Sequence, residues 1–245
     1  MTNWIRLNPT RLLAVAVLVL APNSRAQERA PILGQMAKTY GIDSWDKVDA
    51  IRYTWNGEIT GLFKAAHTWE WEPKTNKVTY EGKDKDGKPV KVSYTRTDLS
   101  TQPDTVRNEV DPSFINDNYW LLFVFHAYWD KSASVTDEGM KKLPIGQGSA
   151  ELVSVKYPAE AGGYTPGDTW DLYVGKDNRV VQLVYHRGGP KKPSEVTATW
   201  AAYKKAGPIL ISTDHRGPAD GKPLHIFISG LSVKLVGSDR WMPAQ

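Results

Sequence analysis

Side chains suited to acid–base or metal chemistry are sparse in this chain. Its five histidines, at positions 67, 126, 186, 215 and 225, include no pair at the i, i+2 or i, i+4 spacing that brings two imidazoles to one zinc ion. Cysteine is absent, which excludes a disulfide framework, a thiolate metal site, a cysteine nucleophile and the modified cysteine that begins a bacterial lipoprotein. There is no G-x-S-x-G elbow, P-loop or dinucleotide fingerprint. The Gly188-Gly189 pair follows a strand but runs into Pro190, which stops a helix from starting cleanly over a phosphate, so it reads as a turn.

Asp214-His215 is an adjacent acid and imidazole, the minimum a hydrolase would need. Neighbours in sequence point to different sides and triad partners are normally distant in the chain, so the pair reads as a plain loop. His126, inside YWLLFVFHAYWD, has two readings: a core histidine satisfied by Asp130 one turn on, or a ligand contact. Trp69, Trp71, Trp120, Phe123, Trp129 and Trp170 join His126 as the candidate ligand-binding set. Tryptophan buries a large apolar area yet keeps an N–H in need of a partner, and is common where apolar surface meets something wet or foreign. Ordinary core packing is the competing assignment. This inventory leads to no catalytic residue, no metal and no cofactor.

Positioning those rings falls to a few elements. Asp117 to Asp130 (DNYWLLFVFHAYWD) contains seven consecutive apolar and aromatic residues, Tyr119 to Phe125. The run is too short to span a membrane and too apolar for a surface helix, so it is buried all round or lines a cavity. Asp111-Pro112 is a helix entry, and Asn116 and Asp117 sit poorly in a strand, so a helix over 114–125 is expected.

Residues 1–26 read as a secretory signal peptide: Arg6 and Arg11 precede the apolar core Leu12 to Ala21, and Ser24-Arg25-Ala26 supplies a cleavage point. Cleavage near Ala26 would place residues 27–245, as one domain, in a periplasm or outside the cell. It would also remove Arg6, Arg11 and Arg25 and no acid, taking the net charge from +4 to +1. No basic cluster remains to serve a nucleic acid.

Pro31 to Tyr40 carries Ile32, Leu33, Met36 and Tyr40 at helical spacing, closed by Gly41, and Asp43 to Val48 adds a helical turn. The period then changes to two. Ile51, Tyr53 and Trp55, then His67, Trp69 and Trp71, then Val78 and Tyr80, then Val90, Val92 and Tyr94 alternate with polar residues. Lys83 to Lys88 (KDKDGK) lacks the closing glutamate of a calcium loop and reads as a solvated hairpin tip. Strands resume at Leu152 to Tyr157. A hairpin follows, Thr169 to Val174 and Arg179 to His186 about the turn Gly175 to Asn178, then Val196 to Tyr203, Ile209 to Ser212, His225 to Ile228 and Leu231 to Val236. The fold class is mainly antiparallel β with a few helices: a large curved sheet forming an unclosed barrel, with the apolar helix as its lid.

Tyr40 to Glu58 (YGIDSWDKVDAIRYTWNGE) is similar to the start of exported proteins of the lipoprotein-carrier-like superfamily, which includes the periplasmic lipoprotein shuttle and its outer-membrane acceptor. Val110 to Asp130 and Gly162 to Gly189 resemble an uncharacterised bacterial branch of the same half-barrel. The resemblance implies a helical lid over an apolar cavity that holds acyl chains; the shuttle's latching arginine has no motif match here.

Three functions compete. The first is a non-enzymatic carrier or chaperone in the cell envelope, with a lipophilic small molecule or acyl chain as partner, a transient envelope protein as a second partner, and no nucleic acid. The second is an envelope hydrolase using His126, Asp130 or Asp214 at the cavity mouth, and the third a structural module with a dry core. The first is favoured, because the concave wall presents more apolar surface than the visible helices cover.

Overall fold

The computed structural model describes residues 29–84, 86–160, 166–189, 192 and 194–245. The segment read from the sequence as a signal peptide, residues 1–26, lies outside these residues. Helix α1 (Pro31–Tyr40) starts on a proline and stops at Gly41, whose φ of 95° only glycine adopts without strain. A 3-10 turn, Ile42–Lys47, leads into four antiparallel strands: β1 (Val48–Ile59), β2 (Phe63–Glu72), β3 (Lys77–Lys83) and β4 (Pro89–Thr95). Between β3 and β4, Asp84 Oδ1 takes the backbone N–H groups of Asp86 and Lys88 and so caps this turn.

Helix α2 (Asp111–Trp129) follows a single π-helical turn, Val106–Val110, and extends beyond the expected 114–125 at both ends. It has no exposed face over Asp117 to Phe125, where nine consecutive residues are buried. The second half of the sheet comprises β5 (Ser134–Lys142), β6 (Ser149–Lys156), β7 (Thr169–Val174), β8 (Val180–His186) and β9 (Glu195–Thr199). A small hairpin of β10 (Lys204–Ala206) and β11 (Ile209–Ile211) stands apart, and β12 (Asp214–Ala219), β13 (Lys222–Leu235) and β14 (Trp241–Pro243) complete the chain.

Twelve strands make one unclosed sheet in the order β4-β3-β2-β1-β13-β12-β9-β8-β7-β6-β5, with β14 added to β13. Long β13 pairs with β1 and so joins the N-terminal meander to the rest. The expected strands at 225–228 and 231–236 are one element, because Gly230, at φ 61°, absorbs a bulge opposite Arg52–Thr54. The expected strand 196–203 ends at Thr199 instead. Ala202 turns left-handed (φ 51°), and Tyr203 leaves the sheet to bond Tyr40 and the carbonyl of Val180. Ile209 to Ile211 then pairs only with β10. The edge strand β5 was not expected from SVTDEGMKK, where alternation of apolar residues is nearly lost. Such charge is what keeps an exposed edge from pairing with another chain.

Candidate ligand-binding site

The inward face of β1, β2 and β3 is graded in size along the strands. At one end stand Ile51, Tyr53, Trp71, Trp69 and Val78, all buried. Phe114 of α2 packs edge-on against Trp69 and Trp71, at 5.4 and 5.9 Å. Toward the β1–β2 turn the cross-strand pair becomes Gly57 and Ala65, and Gly82 stands next to the end of β3. Trp55 lies over Gly57 and Tyr80 over Gly82, so that a Cβ at either glycine would strike the ring. Large rings laid flat beside small residues leave space, and a cavity of about 1300 Å³ opens there between β1–β3 and the start of α2. Its rim carries the partly exposed Phe63, while Phe227 borders it from the outer face of β13, where it stacks on His225 at 4.9 Å. Two ion pairs also belong to its wall, Lys64 with Glu58 at 3.1 Å and Lys91 with Glu81 at 3.2 Å.

The floor of this cavity is polar. His67 Nδ1 lies 2.7 Å from Asp117 Oδ2, the indole Nε1 of Trp69 donates to the same oxygen at 2.8 Å, and Asn116 Nδ2 donates to Oδ1 at 3.0 Å. Burial pushes the Asp117 carboxyl up, and the bond and charge of His67, then Asn116 and Trp69, pull it back. Trp69 and Asn116 donate to the two carboxylate oxygens, and with Asp117 ionised His67 donates from Nδ1 and turns Nε2 away from Asp117. The imidazole stacks on Trp55, ring centres 5.6 Å apart at 14°. His67 and Asp117 are fifty positions apart, and neither was a candidate on sequence. The available signals were the place of His67 in phase with Trp69 and Trp71, and an acid inside an otherwise apolar helix.

On the other side of α2 a second cavity, of about 640 Å³, is bordered by Leu99, Ile115, Tyr119, Trp120, Trp170 and Tyr185, with the exposed Arg107 and Arg187 beside them. Pro112 and Asn116 border both cavities. Beyond it this flank is filled. Phe123 stacks on Trp170 at 4.3 Å, Trp120 on Trp200 at 5.8 Å, and Trp200 meets His215 at 3.8 Å.

Of the residues expected to hold a ligand, Trp120 and Trp170 border the second cavity. Trp69, Trp71 and Phe123 are buried in packing against α2 or within it, and Trp129 packs on Trp45 at 4.7 Å. His126 stacks on Tyr119 at 4.2 Å, and burial pushes its imidazole down to about 3. The partner expected for it is corrected: Nε2 meets Asn118 Oδ1 at 2.7 Å. Asp130 Oδ1 instead accepts from the backbone N–H and hydroxyl of Ser132, because the helix ends at Trp129 and the chain turns away. Arg29 donates to the carbonyls of Ala127 and Tyr128, satisfying acceptors that a helix end leaves free.

Asp214 and His215 lie on β12 rather than in a loop, on opposite faces of the sheet. His215 is fully buried, neither ring nitrogen has a hydrogen-bond partner, and burial pushes it down to about 3. Outside, Asp214 binds Arg216 at 2.9 Å and His225 at 3.0 Å; burial works against its charge, but these two donors win and hold the carboxyl below its ordinary value. His126, Asp130 and Asp214 thus each have separate partners. Among the described residues no three His, Asp or Glu side chains come together as a metal site, and no helix is long and apolar enough to cross a membrane.

No family model matches the chain, and no curated protein matches it. Three solved structures are similar to it in layout. One is a DUF1329 family protein from Desulfovibrio piger ATCC 29098, 9% identical over 84% of this chain and 93% of that one, with a TM-score of 0.46. The second is a LolA superfamily protein from Nitrosomonas europaea, 6% identical over 83% and 92%, TM-score 0.45. The third is the lipoprotein LppX from Mycobacterium tuberculosis, 8% identical over 82% and 94%, TM-score 0.31.

Proposed function

We propose that the protein is an exported, non-enzymatic carrier or chaperone for a lipid, a lipoprotein acyl chain or another lipophilic molecule of the cell envelope, held between the concave sheet and the first half of α2. The observation that carries the reading is the cavity of about 1300 Å³ bordered by Trp55, Phe63, Tyr80, Val90 and Phe227. Its size exceeds the roughly 300–1000 Å³ of ordinary small-molecule pockets, which suits an extended ligand. A structural module with a dry core has no use for such a space. The partly exposed Phe63 places apolar surface where an acyl chain would enter. The named residues of the hydrolase reading are each engaged elsewhere, which supports binding over catalysis.

The test is direct. The protein is purified without detergent, extracted with organic solvent, and the extract is analysed by mass spectrometry beside titration with an environment-sensitive lipophilic dye. Long-chain material in the extract, or saturable dye binding competed by a lipid, is the expected result. An empty extract together with no dye binding ends the reading.

A further inference from the structure

A hydrocarbon tail would leave the floor of the large cavity unused. Building on the carrier reading, we propose that the ligand is an amphiphile with a hydroxyl head, and that the head is hydrogen-bonded by His67 Nε2. The ring is held for this task. Asp117, itself fixed by Trp69 and Asn116, takes the Nδ1 proton at 2.7 Å. Trp55 stacks on one side and Tyr80 meets the ring edge-on at 5.8 Å. With Nδ1 committed as donor, Nε2 of the neutral imidazole is an acceptor. It has no hydrogen-bond partner among the described residues, and the side chain keeps 19% of its surface open on a residue that lines the cavity.

A second unmet group stands on the same wall. Trp55, the cross-strand neighbour of His67, has its indole Nε1 buried without a partner. One group therefore accepts and the other donates. A hydroxyl can donate to Nε2, whereas an ether can only accept and a carboxylate brings charge. Charge is unwelcome here: the acids bordering the cavity, Glu58, Glu81, Asp84, Glu109 and Asp117, outnumber the bases, Lys64, Lys83 and Lys91, and Asp117 stands directly behind the ring. The structure thus assigns a neutral, proton-donating head to this end of the site and the tail to the apolar wall leading to Phe63.

The experiment compares a long-chain primary alcohol, its methyl ether and the carboxylate of equal chain length, by dye displacement on the full mature chain at about pH 8, where an ordinary imidazole is neutral. The alcohol is expected to bind roughly tenfold more tightly than either, the worth of one well-placed hydrogen bond. His67→Phe should bring alcohol and ether level while both still bind. The ligand series on the unaltered protein stands even where that variant fails to fold. A preference for the alcohol below about threefold, or a tighter carboxylate, overturns the assignment and leaves the carrier reading intact. Failure of all three ligands and of the dye overturns both.

Discussion

The two flanks of α2 are built from the same strand alternation and end in opposite states. Facing β7, β8 and β9, the helix meets Trp170, Tyr185 and Trp200, whose rings interlock with Phe123 and Trp120 and leave about 640 Å³. Facing the ends of β1, β2 and β3 it meets Gly57, Ala65 and Gly82, and about 1300 Å³ stays open. Apolar character does not separate the flanks, because both are rich in aromatic rings. The difference lies in whether the ring stands up from the sheet toward the helix or lies down over a neighbouring glycine. Interiors pack close to crystal density, so a void of this size persists where opposing side chains cannot reach across. A cavity can thus be specified by two glycines and an alanine at the right register.

Breaking the filled flank should have the largest effect. Trp170→Ala removes the ring between Phe123 and Tyr185, and a loss of about 4 kcal/mol is expected in chemical denaturation. The converse change on the open flank is Ala65→Trp, which should cost less than about 1 kcal/mol while abolishing dye binding, since the new ring enters space that is already there. If both variants lose the same stability, the contrast between the flanks is wrong.

Acid should act through the two buried histidines, His126 and His215, both of which burial pushes down to about 3. His215 has its folded-state value depressed from 6.5 to about 3 by burial, so its contribution to stability is present above about pH 6.5 and is lost as the pH falls toward 3. By about pH 4 the loss from this group alone approaches 3 kcal/mol as an upper limit. His215→Leu is expected to flatten the acid limb of a stability-against-pH curve. At neutral pH it should cost little, because it also removes two buried nitrogens that have no partner. An unchanged acid limb in that variant would falsify the assignment of the buried imidazole.

Asp117→Asn probes the floor of the open flank. The shape is kept, but one of the three converging donors must now face an amide N–H, and a loss of about 2 kcal/mol is expected. The His67 ring should also lose its fixed tautomer, which is visible as a change in its imidazole nitrogen chemical shifts. Native stability together with unchanged shifts would show that Asp117 does not orient the ring.

Much of this architecture is legible in the residues themselves. Alternation in β1, β2, β7 and β8 gives the strands and their inward faces, and the uninterrupted apolar run in α2 announces a helix with no solvent side. What stayed hidden depends on register between distant segments. His67 and Asp117 meet only because β2 passes under the first half of α2, and nothing local to either residue encodes that crossing. Asp214 finds His225 across β12 and β13 rather than its neighbour His215 for the same reason. Aromatic content pointed to Trp69, Trp71 and Phe123 as ligand contacts, but size alone does not say whether a ring is covered by the protein's own helix. The informative signal was the small residues, which mark where covering stops.

Gly82→Ala is the smallest perturbation and addresses that signal directly. Its new Cβ would collide with the Tyr80 ring, which must swing off the strand into the cavity and give up its 3.0 Å hydrogen bond to the carbonyl of Lys83. The strand conformation suits alanine, and the reduced freedom of the unfolded chain offsets part of the strain, so stability should change by less than about 1 kcal/mol. Dye affinity should nevertheless fall several-fold, because the displaced ring takes up volume next to His67. Unaltered affinity would mean that the flat packing of aromatic rings over glycine does not shape the site, and that the space between the sheet and α2 is set by the helix alone.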